Sequence, residues 1–403
     1  MAKRDTLAVL DLGSSQIRIV VGEMGRNEGI DILGIGAVPS EGLRKGAIVD
    51  MEAAAQAVGR AAEQAHRMSG VPVREVGLAT AAGHLSLLRN RGVVGVSRQD
   101  REINAADVER VLQAARVVTV PPDRELIDMI PRHYIVDGFD GIRDPVGMAG
   151  MRLEVDTMMI TAAAAPIQNL VRCVERSGLT VKEFVVTSFA LGEQLLTRDE
   201  KELGAVLVDL GGGTTDLAVF HQGGLYALSS LPIGGEYITS DIAVGLRTSL
   251  ATAERVKVEH GRADAASTSE EKTFEVRSVA GEDSYLVSER VLAGIIEPRV
   301  QEIFSLVREE LERLGAAGFV PCGMVLTGGV SLTPGIVTVA QEETGWPARV
   351  ARPDFVGVDN PLHSGALAVA VFSASRKVGL VFREQPRRNL IRSVRSWFKE
   401  FVE

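Results

Sequence analysis

An Asp-Leu-Gly turn occurs twice in this chain, and each copy follows a short apolar strand. The first copy is Asp11-Leu12-Gly13-Ser14-Ser15, and the second is Asp209-Leu210-Gly211-Gly212-Gly213-Thr214-Thr215. Backbone N–H groups in such turns can point inward with no Cβ in the way, and they form a concave nest for an anion. The serine and threonine hydroxyls add further donors. Two copies predict two lobes that close on one polyphosphate.

Each turn also carries a carboxylate, which would normally repel a polyphosphate. Asp11 and Asp209 are therefore predicted to hold Mg²⁺, through water, between themselves and the phosphates. The alternative is that both turns are ordinary glycine hairpins. The repetition favours phosphate binding, and so does a third glycine turn, Gly328-Gly329, which follows another strand.

A nucleoside site is predicted less directly, from residues in three separate segments. Glu254 and Lys257 are three positions apart on a predicted helix and share a face, where an acid and a base could bind ribose hydroxyls and a base edge. The alternative for that pair is a solvated salt bridge. The other candidates are places where a ligand could approach the backbone closely: Gly234, Gly235, Gly328, Gly329 and Val330.

Hydrophobic patterning predicts the α/β elements that position these residues. Residues 7–10 and 17–21 are predicted to form one hairpin, and residues 51–69 a helix that ends at Gly70. Capping residues predict three further helices: one over 239–260, one over 288–314 with a break at Pro298, and one that begins at Thr333-Pro334.

A chain of 403 residues is long enough for two or more domains. The pattern changes after residue 83, where glycines and short strands indicate an inserted subdomain. The predicted divisions are a first core subdomain (1–83 and 158–197), the insert (84–157), a second core subdomain (198–238 and 318–376), a small lobe (239–317), a linker (377–386) and a terminal helix (387–403).

The composition is that of a globular, turn-rich α/β protein, with 45% hydrophobic residues and 42 glycines. A net charge of −9 argues against a nucleic-acid partner. Cys173 and Cys322 match neither a disulfide framework nor a metal knuckle, which indicates a reducing cytosol. No signal peptide is expected, and no apolar run approaches the roughly 18 residues of a membrane span.

The terminal segment 387–403 is the one basic stretch of the chain. Its apolar residues fall on one helical face and its basic residues on the other, as in helices that lie in an anionic membrane surface. The alternative is a helix docked on its own core. The preceding linker, the basic polar face and Trp397 favour the membrane, and the predicted contacts are Arg388, Leu390, Ile391, Arg392, Val394, Arg395, Trp397, Phe398, Lys399 and Phe401.

Motifs along nearly the whole chain resemble the bacterial cell division protein FtsA, a family within the actin-like ATPase superfamily. One of them is the second turn with its flanks, Leu210 to Asp216. The others are Gly42-Leu43-Arg44-Lys45-Gly46, Asp100-Arg101-Glu102-Ile103, Pro145-Val146-Gly147-Met148, Pro232-Ile233-Gly234-Gly235, Thr239-Ser240-Asp241-Ile242-Ala243, Ala253-Glu254-Arg255-Val256-Lys257 and Thr327-Gly328-Gly329. Generic sugar kinases and heat-shock chaperones share only the glycine turns.

The resemblance implies an α/β, actin-like two-lobed ATPase fold with duplicated phosphate-binding hairpins and a subdomain inserted in the first lobe. It implies ATP and Mg²⁺ in the cleft, with Gln16 added to the phosphate-binding residues. By the same resemblance, residues 239–317 contact FtsZ, and later division proteins are recruited. The family polymerises and tethers FtsZ filaments, the Z ring, to the inner membrane. The expected location is therefore peripheral, on the cytoplasmic face at the division site.

Gln16 is a departure from the family, since many members have a lysine after the first phosphate turn. A neutral amide donates hydrogen bonds but brings no charge to the phosphates. At most a weak ATPase is therefore expected, with ATP acting as a conformational switch. No residue is nominated as the base that activates water.

Two other functions remain open at this stage. A metabolite kinase on the same fold would need a carboxylate base facing a substrate pocket and would have no use for a membrane helix. A pilus-assembly relative of FtsA would bind the tail peptide of a membrane protein instead of FtsZ. Such relatives lack the terminal helix.

Overall fold

The computed structural model describes residues 6–25, 30–97, 100–118, 120–279, 284–351 and 361–377. The chain begins with a three-stranded antiparallel meander, a small hairpin and a helix. Asp50 caps this helix with its side chain, and Gly70 ends it in the left-handed conformation. The elements are β1 (Thr6–Leu12), β2 (Gln16–Met24), β3 (Ile30–Pro39), β4 (Leu43–Arg44), β5 (Ala47–Ile48), α1 (Met51–Ser69) and β6 (Glu75–Thr80).

The next five elements form a separate antiparallel sheet with one helix. They are β7 (Leu85–Gly95), α2 (Ala105–Arg116), β8 (Arg124–Val136), β9 (Phe139–Ile142) and β10 (Arg152–Ala163). The strand order is β7-β10-β8-β9, and this sheet has its own core around Val111, Leu153 and Met159. β10 pairs with β7 and β8 along its whole length. The predicted boundary between residues 157 and 158 therefore falls inside a continuous strand of the inserted sheet.

Three elements complete the first lobe: α3 (Ala164–Arg176), β11 (Thr180–Val186) and α4 (Thr187–Leu195); α5 (Arg198–Leu203) then packs on the sheet of the second lobe. The first sheet has the order β11-β6-β1-β2-β3. β11, β6 and β1 run parallel, and β1, β2 and β3 are antiparallel. α1 and α3 cover one face, where Leu10, Ile17, Ala57 and Cys173 are buried together.

The second lobe repeats the strand order of the first. Its sheet, β14-β13-β12-β17-β18, again has an antiparallel meander on one side and parallel strands on the other. Its elements are β12 (Ala205–Leu210), β13 (Thr215–His221), β14 (Gly224–Leu231), α6 (Gly235–Gly245), α7 (Leu250–His260), β15 (Thr273–Arg277), β16 (Ser284–Ser288), α8 (Glu289–Arg313), β17 (Met324–Thr327), α9 (Ile336–Thr344) and β18 (Ala348–Val350).

The last described helix, α10 (Ser364–Lys377), lies with α4 between the two sheets. Buried side chains of both helices share one core with Val9 of β1 and Leu207 of β12. α10 also contacts β2 and β6 of the first lobe. The predicted second core subdomain, which runs to residue 376, thus ends in a helix that joins the two lobes.

The prediction of one helix over 239–260 is wrong, because the chain reverses between α6 and α7. Arg247 adopts a left-handed conformation with φ of 46°. Ser249 then caps α7 by accepting a hydrogen bond from the backbone N–H of Thr252. Thr239 is not a cap but lies inside α6, where its hydroxyl donates to the carbonyl of Gly235 at 3.0 Å.

Two other helix predictions differ from the structure. α8 is continuous through Pro298, because a long buried stripe holds the helix against the core of the second lobe. α9 begins at Ile336 rather than at Thr333. The carbonyl of Pro334 accepts a hydrogen bond from the backbone N–H of Ala263 at 2.8 Å, which keeps this segment out of the helix.

Candidate functional site

The two aspartates of the repeated motif occupy matching positions in the two sheets. Asp11 lies near the end of β1 and pairs across the hairpin with Arg18. Asp209 lies near the end of β12 and pairs with Asp216. The residues that follow are called here the first turn (13–15) and the second turn (211–214). The second turn is closed by the N–H of Gly211, which donates to the carbonyl of Thr214 at 3.0 Å.

The two turns contact each other directly. A Cβ at Gly213 would lie 2.5 Å from Ser14 Oγ, and a Cβ at Gly212 would overlap Ser15 Oγ. At Gly213 the Ser14 Cβ would also lie only 2.8 Å away, a clash that rotation of the hydroxyl does not relieve, whereas at Gly212 the Ser15 hydroxyl would have to rotate away. The structure therefore brings the hydroxyls of the first turn against the backbone of the second.

Three carboxylates and one guanidinium group lie behind the turns. Burial, followed by the charges of Asp216 and Asp11, raises the pKa of Asp209 to about 7. Burial also raises the pKa of Asp11, although Arg18 Nη1 lies 3.6 Å from Asp11 Oδ2 and lowers it. The pKa of Asp216 is raised mainly by burial. The site thus holds more buried negative charge than one arginine compensates.

This donor set fits a hydrated magnesium ion rather than a fully protein-bound metal. Among the described residues, no three or more His, Cys, Asp or Glu side chains are grouped so that they could hold a metal. Mg²⁺ commonly keeps several waters and binds proteins through one or two carboxylates. Asp11 and Asp209 offer two carboxylates with raised pKa values, whose charge a divalent cation would neutralise.

Two residues that sequence reasoning missed hold the first turn in place. Arg18 Nη2 donates to Gln16 Oε1 at 2.8 Å, so the Gln16 amide is tied to the guanidinium group. The backbone N–H of Gly46 donates to Ser14 Oγ at 3.2 Å. The hairpin register carries a signal for Arg18, because the four residues between the paired Leu12 and Ile17 place it opposite Asp11. Gly46 lies in the turn between β4 and β5. No local sequence pattern predicts its hydrogen bond to Ser14.

The predicted acid–base pair of the nucleoside site lies on α7, next to the start of α6. Lys257 Nζ donates to Glu254 Oε2 at 2.6 Å, to Thr239 Oγ1 at 2.9 Å and to the carbonyl of Gly235 at 3.2 Å. Glu254 is exposed, whereas Lys257 is half-buried. The pair is therefore anchored to α6 and is not a freely solvated salt bridge.

The predicted glycines of the nucleoside site surround the second turn. The N–H of Gly235 donates to the carbonyl of Gly211 at 3.0 Å, and a Cβ at Gly234 would lie 2.6 Å from the same oxygen. Gly328 has φ of +84°, and its Cβ would lie 2.5 Å from Asp209 Oδ1. On the same segment, Gly329 faces Leu362, and Val330 is buried with a methyl group 2.8 Å from the Cβ position of Gly235.

The residues predicted to bind a membrane, Arg388, Leu390, Ile391, Arg392, Val394, Arg395, Trp397, Phe398, Lys399 and Phe401, lie outside the described residues. Across the ranges that the structure does describe, no helix is both long and apolar enough to cross a bilayer.

Two family models match the chain. One, described as cell division protein FtsA, matches residues 206–371. The other, described as an SHS2 domain inserted in FtsA, matches residues 82–161 and so covers the separate sheet of the first lobe through most of β10.

Curated relatives match almost the full length of the chain. The cell division protein FtsA of Bacillus subtilis is 40% identical over 391 residues, which cover 96% of this chain and 88% of the relative. FtsA of Pseudomonas aeruginosa is 37% identical over 91% of this chain and 89% of its own. FtsA of Escherichia coli is 33% identical over 98% and 96%.

Solved structures with low sequence identity share the fold. The PilM–PilN type IV pilus biogenesis complex includes a chain that matches with a TM-score of 0.63 at 17% identity, covering 92% of this chain and 99% of that one. MreB5 of Spiroplasma citri bound to ADP matches with a TM-score of 0.54 at 16% identity, over 93% and 98%. The predicted α/β, actin-like fold with an inserted subdomain is confirmed. The chain belongs to the FtsA family of bacterial cell division proteins.

Proposed function

We propose that this chain is an ATP-binding, self-assembling adaptor that holds FtsZ filaments at the cytoplasmic face of the inner membrane. One observation carries the nucleotide part of the proposal. Ser14 and Ser15 of the first lobe lie against Gly213 and Gly212 of the second, so a polyphosphate bound at the junction of the two turns would contact both lobes. The structures of MreB5 bound to ADP and to AMPPNP support a nucleotide as the ligand of this fold.

The chain's own groups suit each part of a magnesium nucleotide. Backbone N–H groups of both turns and the hydroxyls of Ser14, Ser15 and Thr214 would bind the phosphates. Asp11 and Asp209 would hold the hydrated Mg²⁺, which supplies charge neutralisation when bound. The nucleoside would lie between α7 and the Gly328–Val330 segment, near Glu254 and Lys257.

ATP binding would act as a switch because its phosphates would bridge the lobes. A ligand shifts a conformational equilibrium by its differential affinity for the two states. A nucleotide that contacts both turns favours the closed arrangement, and the closed arrangement would favour head-to-tail filaments. The Gln16 side chain carries no charge, and its amide oxygen accepts a hydrogen bond from Arg18. We therefore expect the chain to bind ATP but to hydrolyse it slowly.

The terminal segment 387–403 would connect filaments to the membrane. Each basic residue near anionic lipid contributes about 1 kcal/mol, and ordering the helix opposes binding. One helix should therefore bind weakly and reversibly. Many helices on one filament bind by avidity, which can add roughly 10²–10⁴-fold without new contacts. Assembly and membrane attachment would thus depend on each other.

Two surfaces are available for protein partners. The small lobe, 239–317, exposes apolar side chains on α6 and α7, among them Val244, Leu250 and Val258. We assign this lobe to FtsZ by the resemblance to the FtsA family, and these exposed side chains are available for the contact. The inserted sheet exposes Phe139 and Met151, and we assign it to later division proteins.

A co-sedimentation assay tests the proposal as a whole. The full chain is mixed with ATP, anionic liposomes and FtsZ, and each component is omitted in turn. The proposal predicts that FtsZ pellets with vesicles only when this chain is present, and that ATP increases the yield. Failure to bring FtsZ to vesicles would refute the adaptor role and leave the pilus-type alternative.

A further inference from the structure

Lys45 lies between the two turns, although it belongs to neither. It sits in the β4–β5 hairpin, where its neighbour Gly46 donates a hydrogen bond to Ser14 Oγ of the first turn. On the other side, Lys45 Cα lies 3.3 Å from the Cβ position of Gly213 in the second turn. Lys45 also lines a cavity of about 200 Å³ together with Thr214 of the second turn. The backbone of Lys45 therefore lies at the junction of the two lobes, next to both turns.

The hairpin that carries Lys45 is held in a strained conformation. Lys45 has φ of +50°, which is unusual for a residue with a side chain, and Gly42 and Gly46 also have positive φ. The carbonyl of Gly42 accepts hydrogen bonds from the N–H groups of Val49 and Asp50, and Leu43 is buried in the core of the first lobe. Non-glycine residues in such conformations cluster at functional sites.

The ammonium group of Lys45 has a neutral partner in the second lobe. Lys45 Nζ donates to the hydroxyl of Tyr237 at 2.5 Å and lies 4.9 Å from the centre of its ring. Arg299 also contacts the Tyr237 ring, with its guanidinium carbon 5.5 Å from the ring centre. The same guanidinium group forms an ion pair with Asp241. Among the described residues, no carboxylate forms an ion pair with Lys45.

We infer that Lys45 is the phosphate-binding cation of this site and determines its preference for ATP over ligands with fewer phosphates. The inference rests on the proposed nucleotide function. Gln16 brings no charge to the first turn, and Lys45 is a flexible cation adjacent to both turns. A phenol is a neutral acceptor, so a bound polyphosphate, which forms stronger charge-assisted hydrogen bonds, would take the ammonium group from Tyr237.

Calorimetry with ATP, ADP and adenosine tests the inference on the full chain in the presence of Mg²⁺. Lys45→Ala should weaken ATP binding about 10- to 100-fold, the loss of one charge-assisted hydrogen bond. It should weaken ADP binding less and leave adenosine binding unchanged. Lys45→Arg should restore most of the ATP affinity. Tyr237→Phe, which removes only the competing hydroxyl, should not weaken ATP binding.

A second variant separates charge from backbone strain. Lys45→Gly removes the side chain but relaxes the positive φ, so it should lose the same ATP affinity as Lys45→Ala. If Lys45→Ala and Lys45→Gly bind ATP as tightly as the unmodified chain, or lose all three ligands equally, the inference is wrong. If the unmodified chain binds none of the three, the proposed function itself fails.

Discussion

Replacing Gly328 with alanine should damage the site through backbone geometry and packing alone. Gly328 has φ of 84° and ψ of 174°, a region that only glycine populates readily. Another residue there costs about 1–3 kcal/mol. The added Cβ would lie 2.5 Å from Asp209 Oδ1 and 2.6 Å from the carbonyl oxygen of Leu210. Overpacking of this kind costs a further 1–3 kcal/mol or so.

Gly315→Ala is the matched control in the same lobe. Gly315 has φ of +63°, but no atom lies within 4 Å of its Cβ position. Alanine there costs only the free energy of a left-handed backbone conformation, which is about 1–2 kcal/mol. The fluorescence of Trp346, which packs on the core of the second lobe, reports unfolding once the other tryptophan is removed by Trp397→Phe.

Gly328→Ala should therefore lower the unfolding free energy of the second lobe by about 1–3 kcal/mol more than Gly315→Ala does. The corresponding difference in Tm is roughly 2–12 °C. Displacement of Asp209 should also weaken Mg²⁺–ATP binding at least about tenfold, a cost of about 1.4 kcal/mol, whereas Gly315→Ala should not change it. Equal shifts in Tm for the two variants, or intact ATP binding in Gly328→Ala, would show that the close approach to Asp209 is not needed.

Three further outcomes are expected. Asp209→Asn removes a buried charge whose pKa is raised from 3.8 to about 7 in the folded state, so it should raise the Tm of the ligand-free second lobe at about pH 8. This advantage should shrink towards about pH 5, where Asp209 is protonated in the folded chain, and a pH-independent advantage would contradict the assignment. Lys257→Ala leaves the carbonyl of Gly235 without its lysine donor and should cost about 1–3 kcal/mol in thermal unfolding of the second lobe, whereas an unchanged Tm would refute the anchoring role. Deletion of residues 387–403 should abolish pelleting with anionic vesicles and leave ATP binding intact; a truncated chain that still pellets would refute the membrane role.

The repeated hairpins could be predicted because their signals are local. A buried strand, a glycine turn and a second apolar strand lie within about fifteen residues in each copy, and the short turn sets the register. That register places Asp11 and Asp209 at equivalent points of the two sheets. The carboxylates and the turns of the candidate site therefore followed from residue types and spacing.

The contacts between distant segments had no such signal. Lys45 and Tyr237 are 192 positions apart, and nothing in the pattern around either residue indicates the other. The mostly apolar half of β10, from Met158 onward, has a pattern that fits a strand of the first sheet as well as one of the inserted sheet. The break between α6 and α7 depends on the left-handed Arg247, a residue with no strong preference for that conformation.

The duplicated hairpins are claimed to bind one magnesium nucleotide between them, and calorimetry of the full chain with ATP and Mg²⁺ tests this claim most directly. The unmodified chain should bind one ATP, and the double variant Asp11→Ala, Asp209→Ala should lose most of that affinity while it keeps its fold by circular dichroism. If the unmodified chain takes up no ATP, or the double variant binds it equally well, the nucleotide is not held between these two turns.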